Sequence, residues 1–93
     1  MSDKTLYLIQ GSFLTANAHL NKLANILIAP DAVVLMGDAV LHHQHESLSN
    51  HLNVYALNQD LEILGSISHD LIAIDYDQFA DLSLQFTRCI SLK

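Results

Sequence analysis

The feature that most limits the fold of this chain is a strand-to-helix unit that occurs twice between Val54 and Asp81. The first copy runs Val54-Tyr55-Ala56-Leu57 into Asn58-Gln59-Asp60-Leu61 and a break at Gly65. The second runs Leu71-Ile72-Ala73-Ile74 into Asp75-Tyr76-Asp77-Gln78-Phe79-Ala80-Asp81. Each apolar run closes on Asn or Asp and leads into a helix-compatible segment. Successive units of this kind predict a parallel sheet, because parallel strands need a crossover between them. Leu71 to Ile74 is apolar throughout and shows no alternation, so it is expected to be buried on both faces under crossover helices.

Asp75 is placed to accept from the free amides of the helix that follows, with Gln78 three residues on reaching back as in a capping box. Phe79, Leu82 and Phe86 recur at spacings of three and four and mark the face that packs on the sheet. Earlier in the chain, Thr5 to Ile9 reads as a strand ended by Gln10-Gly11-Ser12. From Thr15 to Leu27 the residues Ala16, Leu20, Leu23, Ala24 and Leu27 share one helical face, with Ser12 or Thr15 as cap. Ala29-Pro30-Asp31 stops that helix, since proline cannot continue it. Ala32 to Met36 is a further apolar run ended by Gly37-Asp38, and Ala39 to about Asn50 is expected to be a helix diluted by histidines. Residues 58–65 predict a short helix, and Thr87 to Leu92 a last, edge strand. Alternation of five strands with about four helices predicts a three-layer open α/β sheet of mostly parallel strands, with helices on both faces and one domain over residues 1–93.

In such a sheet the functional surface lies at the carboxyl ends of the strands. That edge is expected to collect Gln10, Gly11, Ser12, Gly37, Asp38, Asn58, Asp60, Asp75 and Tyr76, with Asp38, Asp60 and Asp75 as helix caps. Chemistry at these residues is poorly supported by motif: Ser12 lies in no Gly-x-Ser-x-Gly elbow, and Gln10-Gly11-Ser12 lacks the second glycine and the lysine of a phosphate loop.

Charge narrows the choice of partner. Ten carboxylates against four basic residues give a formal net charge of −6. The basic residues, Lys4, Lys22, Arg88 and Lys93, are scattered along the sequence, which speaks against direct capture of nucleic acid. Apolar residues make up 51% of the chain and charged ones 15%, high for a small monomer whose surface should be polar. Apolar surface is therefore expected to remain for a partner, and the isolated chain is expected to self-associate. The start lacks a signal-peptide pattern and no apolar run approaches the ~20 residues that span a bilayer, so a cytoplasmic location is expected.

Two clusters invite chemistry. On a helix, His42, His45 and Glu46 would share a face, and His51 could add a fourth ligand to a metal. The simpler reading is a solvated polar face, and no cofactor is expected. Cys89 is the single cysteine, so it makes no internal disulfide. As the only thiol it is the one residue able to carry sulfur, but a thiolate needs a helix N-terminus or a nearby cation. Arg88 is its neighbour in a strand and points to the other face. A packed residue in the last strand is the expectation.

The stretch Tyr55-Ala56-Leu57-Asn58-Gln59-Asp60-Leu61 with Gly65, followed by Ile74-Asp75-Tyr76 with Phe79 and Leu82, resembles the DsrH/TusB family of sulfur-relay subunits. The likeness extends more loosely to the first strand and to Leu35-Met36-Gly37-Asp38-Ala39-Val40, where the family usually shows Asp-Gly-Val and this chain has Ala39 in place of the glycine. Some relatives carry a cysteine in the first helix, where this chain has His19 and Asn21 and no thiol. The resemblance implies a DsrE/F/H-like fold and a small subunit that assembles with two related chains, DsrE/TusD-like and DsrF/TusC-like, one of which supplies the persulfide-carrying cysteine. It further implies sulfur transfer towards 2-thiolation of the wobble uridine of certain tRNAs, or a role in sulfur oxidation in the DsrH branch. A non-catalytic structural subunit is the reading that follows. Its rivals are a persulfide carrier using Cys89 and a metal-binding module built on His42, His45, Glu46 and His51.

Overall fold

The computed structural model describes residues 4–27, 31–48, 53–67 and 69–93. Five strands, β1 Thr5–Ile9, β2 Ala32–Leu35, β3 Val54–Leu57, β4 Ile72–Ile74 and β5 Arg88–Leu92, form one sheet in the order β4-β3-β2-β1-β5. Every pairing is parallel, with Leu6 beside Ala32, Val33 beside Val54, Tyr55 beside Ile72 and Leu6 beside Cys89. The helices are α1 Phe13–Leu23, α2 Asn58–Leu61 and α3 Tyr76–Ser83, with single 3-10 segments at Gly37–His42, Glu46–Leu48 and Glu62–Leu64.

The order of the strands explains where the helices lie. From β1 to β4 the chain steps in one direction across the sheet, and a right-handed crossover then keeps every connection on one face. On that face Tyr7, Ile9, Val33, Leu35, Val54 and Ala56 pack against Ala16, Leu20 and Leu23 of α1, Ala39 and Val40 of the first 3-10 segment, Leu48 and Leu64. The step from β4 to β5 runs back across the whole sheet, which puts α3 on the opposite face. There Leu6, Ala32, Val34, Leu57 and Ile74 meet Leu82, with Phe79 and Phe86 packed at the margin. The three-layer α/β expectation holds; Phe79 and Leu82 mark the face of α3 that meets the sheet, while Phe86 lies past the end of the helix and packs against the same cluster.

Several local expectations need correction. Leu71 to Ile74 is not buried on both faces: β4 is an edge strand, Ile72 is 42% exposed and Ala73 is exposed. Among the described residues it has a strand neighbour on one side only, and α3 covers its Ile74 end. α1 stops at Leu23 rather than Leu27, because the amides of Asn25 and Ile26 tighten onto the carbonyls of Lys22 and Leu23 three residues back. Leu27 still packs on the core, which is why the apolar period outlasts the helix. Pro30, the expected stop, lies outside the described residues.

The segment from Ala39 is not one helix but two 3-10 pieces separated by a turn. Gly37 at its start has φ +59°, a conformation that glycine adopts without cost. The positive φ of this turn therefore sits at Gly37, and Ala39 is fully buried against the core.

Candidate functional site

At the carboxyl edge of the sheet most of the expected residues are engaged in building the fold. Ser12 Oγ accepts from the Thr15 amide at 3.2 Å and donates to Thr15 Oγ1 at 2.9 Å, so it caps α1, and among the described residues no base bonds to it to make it a nucleophile. Asp75 and Gln78 form the complete capping box of α3: Gln78 N–H donates to Asp75 Oδ1 at 2.7 Å and Asp75 N–H to Gln78 Oε1 at 2.9 Å. Asp38 and Asp60 are not caps. They lie in the first turns after Met36 and Leu57, where acidic side chains favour the helix end without bonding to it.

Two contacts across this edge join separate strand-to-helix units. Gln59 Nε2 donates to Tyr76 Oη at 2.6 Å, linking the start of α2 to the start of α3, and the Tyr76 ring is 60% exposed. The Phe13 ring, at the start of α1, stacks on His42 with centroids 4.1 Å apart. Phe13 is 47% exposed, so an aromatic pair stands at the mouth of the edge between α1 and the segment after β2.

The histidine cluster is organised differently from its expected helical face. His42 closes the first 3-10 segment and Glu46 opens the second, so His42, His45 and Glu46 do not share a helix. His42 is buried rather than solvated, and its Nε2–H donates to the Phe13 carbonyl at 2.7 Å, the carbonyl being able only to accept. His45 Nδ1 accepts from the Ser47 amide at 3.1 Å, which leaves Nε2 to donate to Asn21 Oδ1 at 2.9 Å. Burial, then the charge of nearby His42, pushes His45 below the usual histidine range, with Glu46 opposing. Both of its ring nitrogens are thus committed to protein partners, and so is one on His42. His51 lies outside the described residues, among which no three His, Cys, Asp or Glu converge as metal ligands.

Cys89, expected to be packed, is instead exposed, because β5 is an edge strand; it lies on the same face as Leu6 and α3. Its Sγ approaches the Ser83 carbonyl at 3.9 Å, at the carboxyl end of α3. Three further residues separate it from the carboxyl end of the strand, about 10 Å of extended chain. Arg88 turns to the other face, where its Nη2 donates to Thr5 Oγ1 at 3.3 Å.

Residues that sequence reasoning missed are long-range partners. Asp31, expected only as part of a turn, is buried and accepts from the Thr5 amide at 2.9 Å, fastening the start of β1 to the entry of β2. Together with burial, this carboxylate raises Tyr7 above the ordinary tyrosine range, against a smaller lowering by Arg88. Phe13, Asn21 and Gln59 likewise carried no signal, because each acts through a residue many positions away. The basic residues, scattered in sequence, are partly gathered by the fold: Thr87 and Arg88 donate their amides to the Lys4 carbonyl, so Lys4 and Arg88 meet at one end of β5 and Lys93 follows its other end. Among the described residues no helix is long and apolar enough to cross a membrane.

Comparison with known proteins matches this arrangement to one family. The model of the family described as DsrH like protein matches residues 15–89. The chain is 38% identical over 74 residues to Protein TusB of Escherichia fergusonii, an alignment covering 70% of this chain and 78% of that one. It is also 38% identical over 72 residues to Protein TusB of Shigella dysenteriae serotype 1, covering 68% and 76%. With the five-stranded parallel sheet and its two helical layers already in place, these matches make the chain a member of the DsrH family of sulfur-relay subunits.

Proposed function

We propose that this chain is a non-catalytic structural subunit of a cytoplasmic sulfur-relay complex, in which a related subunit carries the persulfide. DsrE/TusD-like and DsrF/TusC-like chains are its partners, and the sulfur is passed on towards 2-thiolation of a tRNA wobble uridine. Similarity to two proteins named TusB favours this branch over sulfur oxidation. With a net charge of −6, the chain leaves tRNA to other members of the complex.

The observation that carries the reading is the setting of Cys89. A relay cysteine works as an anionic sulfur and is usually served by N–H donors or a cation at the start of a helix. Cys89 instead meets an acceptor carbonyl at the end of α3 and lies back from the carboxyl edge of the sheet. Exposed apolar side chains, with Leu14 at 78% and Leu84 at 84%, supply surface for subunit contacts and for self-association when the chain is isolated.

The test is reconstitution with the partner subunits and a labelled sulfur donor. Cys89→Ser is expected to leave sulfur transfer nearly unchanged, whereas omission of the chain abolishes it by loss of assembly. Labelled sulfur trapped on Cys89, together with loss of transfer by the Ser variant in an intact complex, would replace the structural role with that of a carrier.

A further inference from the structure

The two edges of the sheet carry opposite charge. Among the described residues β5 pairs only with β1, and Lys4, Arg88 and Lys93, three of the four basic residues, lie around it. At the far edge β4 runs between the exposed Asp70 and Asp75, with Asp77 in the first turn of α3 and Asp60 on α2, which packs against β4.

Among the described residues both edges are also open to pairing. Arg88 N–H donates to the Lys4 carbonyl, and the Leu92 carbonyl accepts from Gln10 N–H at 2.8 Å. In a parallel ladder this phase turns the peptide groups of Arg88, Ile90 and Leu92 towards β1 and those of Cys89 and Ser91 outwards. Between Arg88 and Leu92 there is no proline and no lysine, the usual guards of an edge, and Cys89, Ile90 and Ser91 are exposed. Ile72 and Ala73 are exposed at the opposite edge.

We propose that the β5 edge of one copy receives the β4 edge of a second copy, continuing the parallel sheet from molecule to molecule. Charge selects this pairing over its alternatives. Two β5 edges would bring Arg88 and Lys93 against their own kind, and two β4 edges would oppose carboxylates, whereas β5 against β4 joins opposite signs. Arg88 and Lys93 are five residues apart, as are Asp70 and Asp75. Ile72 and Ile74 lie on the α3 face, as do Cys89 and Ser91. A register that keeps each face continuous sets Ile72 beside Cys89 and Ala73 beside Ile90, and then Asp70 and Asp75 each fall one residue from facing Arg88 and Lys93. The net charge of −6 on each copy opposes association, but at a Debye length of about 8 Å the charges at the edges outweigh those further away. The contact is heterologous, so one pairing leaves a free edge at each end.

This gives a geometry to the self-association proposed above and does not depend on the sulfur-relay role. Sedimentation of the full chain at micromolar concentration and about 0.15 M salt is expected to show a concentration-dependent series extending beyond a dimer. Ser91→Pro removes an outward N–H of β5 while sparing the ladder to β1. Asp70→Lys with Ala73→Lys makes the β4 edge basic. Each variant alone is expected to be a monomer, and a mixture of the two to form a 1:1 dimer and nothing larger. Lys93→Glu, at an exposed residue past β5 and outside its ladder, should weaken association by about tenfold or more.

A dimer formed by the β4-blocked variant alone would overturn the proposal in favour of β5 pairing with itself. Association untouched by any of these changes would overturn it while leaving self-association intact. A wild-type chain that stays monomeric would remove both and leave the sulfur-transfer test standing.

Discussion

Phe13 and His42 are 29 positions apart in sequence, and their contact decides what the histidine-rich segment does. Periodicity alone predicts a helix with His42 on a solvated face, where removal of the side chain would change stability by about half a kcal/mol at most. In the folded chain the His42 ring is buried on Phe13 and its Nε2–H satisfies the Phe13 carbonyl. His42→Ala is therefore expected to destabilise the protein by about 1–3 kcal/mol, combining the lost hydrogen bond with the lost stacking and burial. A shift of the urea midpoint with an unchanged slope would measure it. A change no larger than that of an exposed residue would show that the ring contributes nothing to holding α1 against the 3-10 segment. The sequence could not reveal this pair, since nothing near Phe13 names its partner. The same holds for Asn21 with His45 and for Thr5 with Asp31.

At the scale of elements, what was legible is what is local. The capping box of α3 lies within four residues, Asp75 to Gln78, and both of its hydrogen bonds can be read from residue types and spacing. Asp75→Ala should cost about 1 kcal/mol of stability. Because the cap acts on α3 first, amide exchange should accelerate at Gln78 and Phe79 more than in β1 or β2. Equal acceleration throughout would mean that α3 has no local opening of its own. Gln78→Ala, which removes only the bond to the Asp75 amide, should cost less. What was not legible depended on neighbours: the run Leu71 to Ile74 has the composition of an interior strand, yet strand order makes β4 an edge. Composition cannot say on how many sides a strand is paired. Nor could helical period show that the chain after Gly37 winds as 3-10 turns, which rotate His42 inwards onto α1.

For the whole molecule, the parallel order β4-β3-β2-β1-β5 and one reversal of direction account for both helical layers, and the alternation of apolar runs with helical segments was enough to foresee them. The response of global stability to pH was not foreseeable, because it depends on contacts between layers. His45 bridges α1 and the second 3-10 segment as a neutral ring, accepting from the Ser47 amide and donating to Asn21, with His42 and Glu46 as its charged or titratable neighbours. Its folded pKa lies below the unfolded value near 6.5. The stability it contributes is thus fully present above about pH 6.5 and is lost as pH falls through its lower folded pKa, where protonation must break the bond from Ser47. Tyr7 acts with the opposite sign at the other end. Its folded pKa is raised, so its contribution is present below about pH 10 and is lost as pH rises through the folded value. Urea unfolding across this range should give a plateau from about pH 7 to 9.5 with a fall on each side. His45→Gln keeps an amide for Asn21 but does not titrate, so the difference between wild type and variant should shrink as pH drops below about 6.5. A difference that stays constant from pH 8 to pH 5 would show that His45 is protonated equally in the folded and unfolded chains, and that the clasp between α1 and the histidine segment does not sense pH.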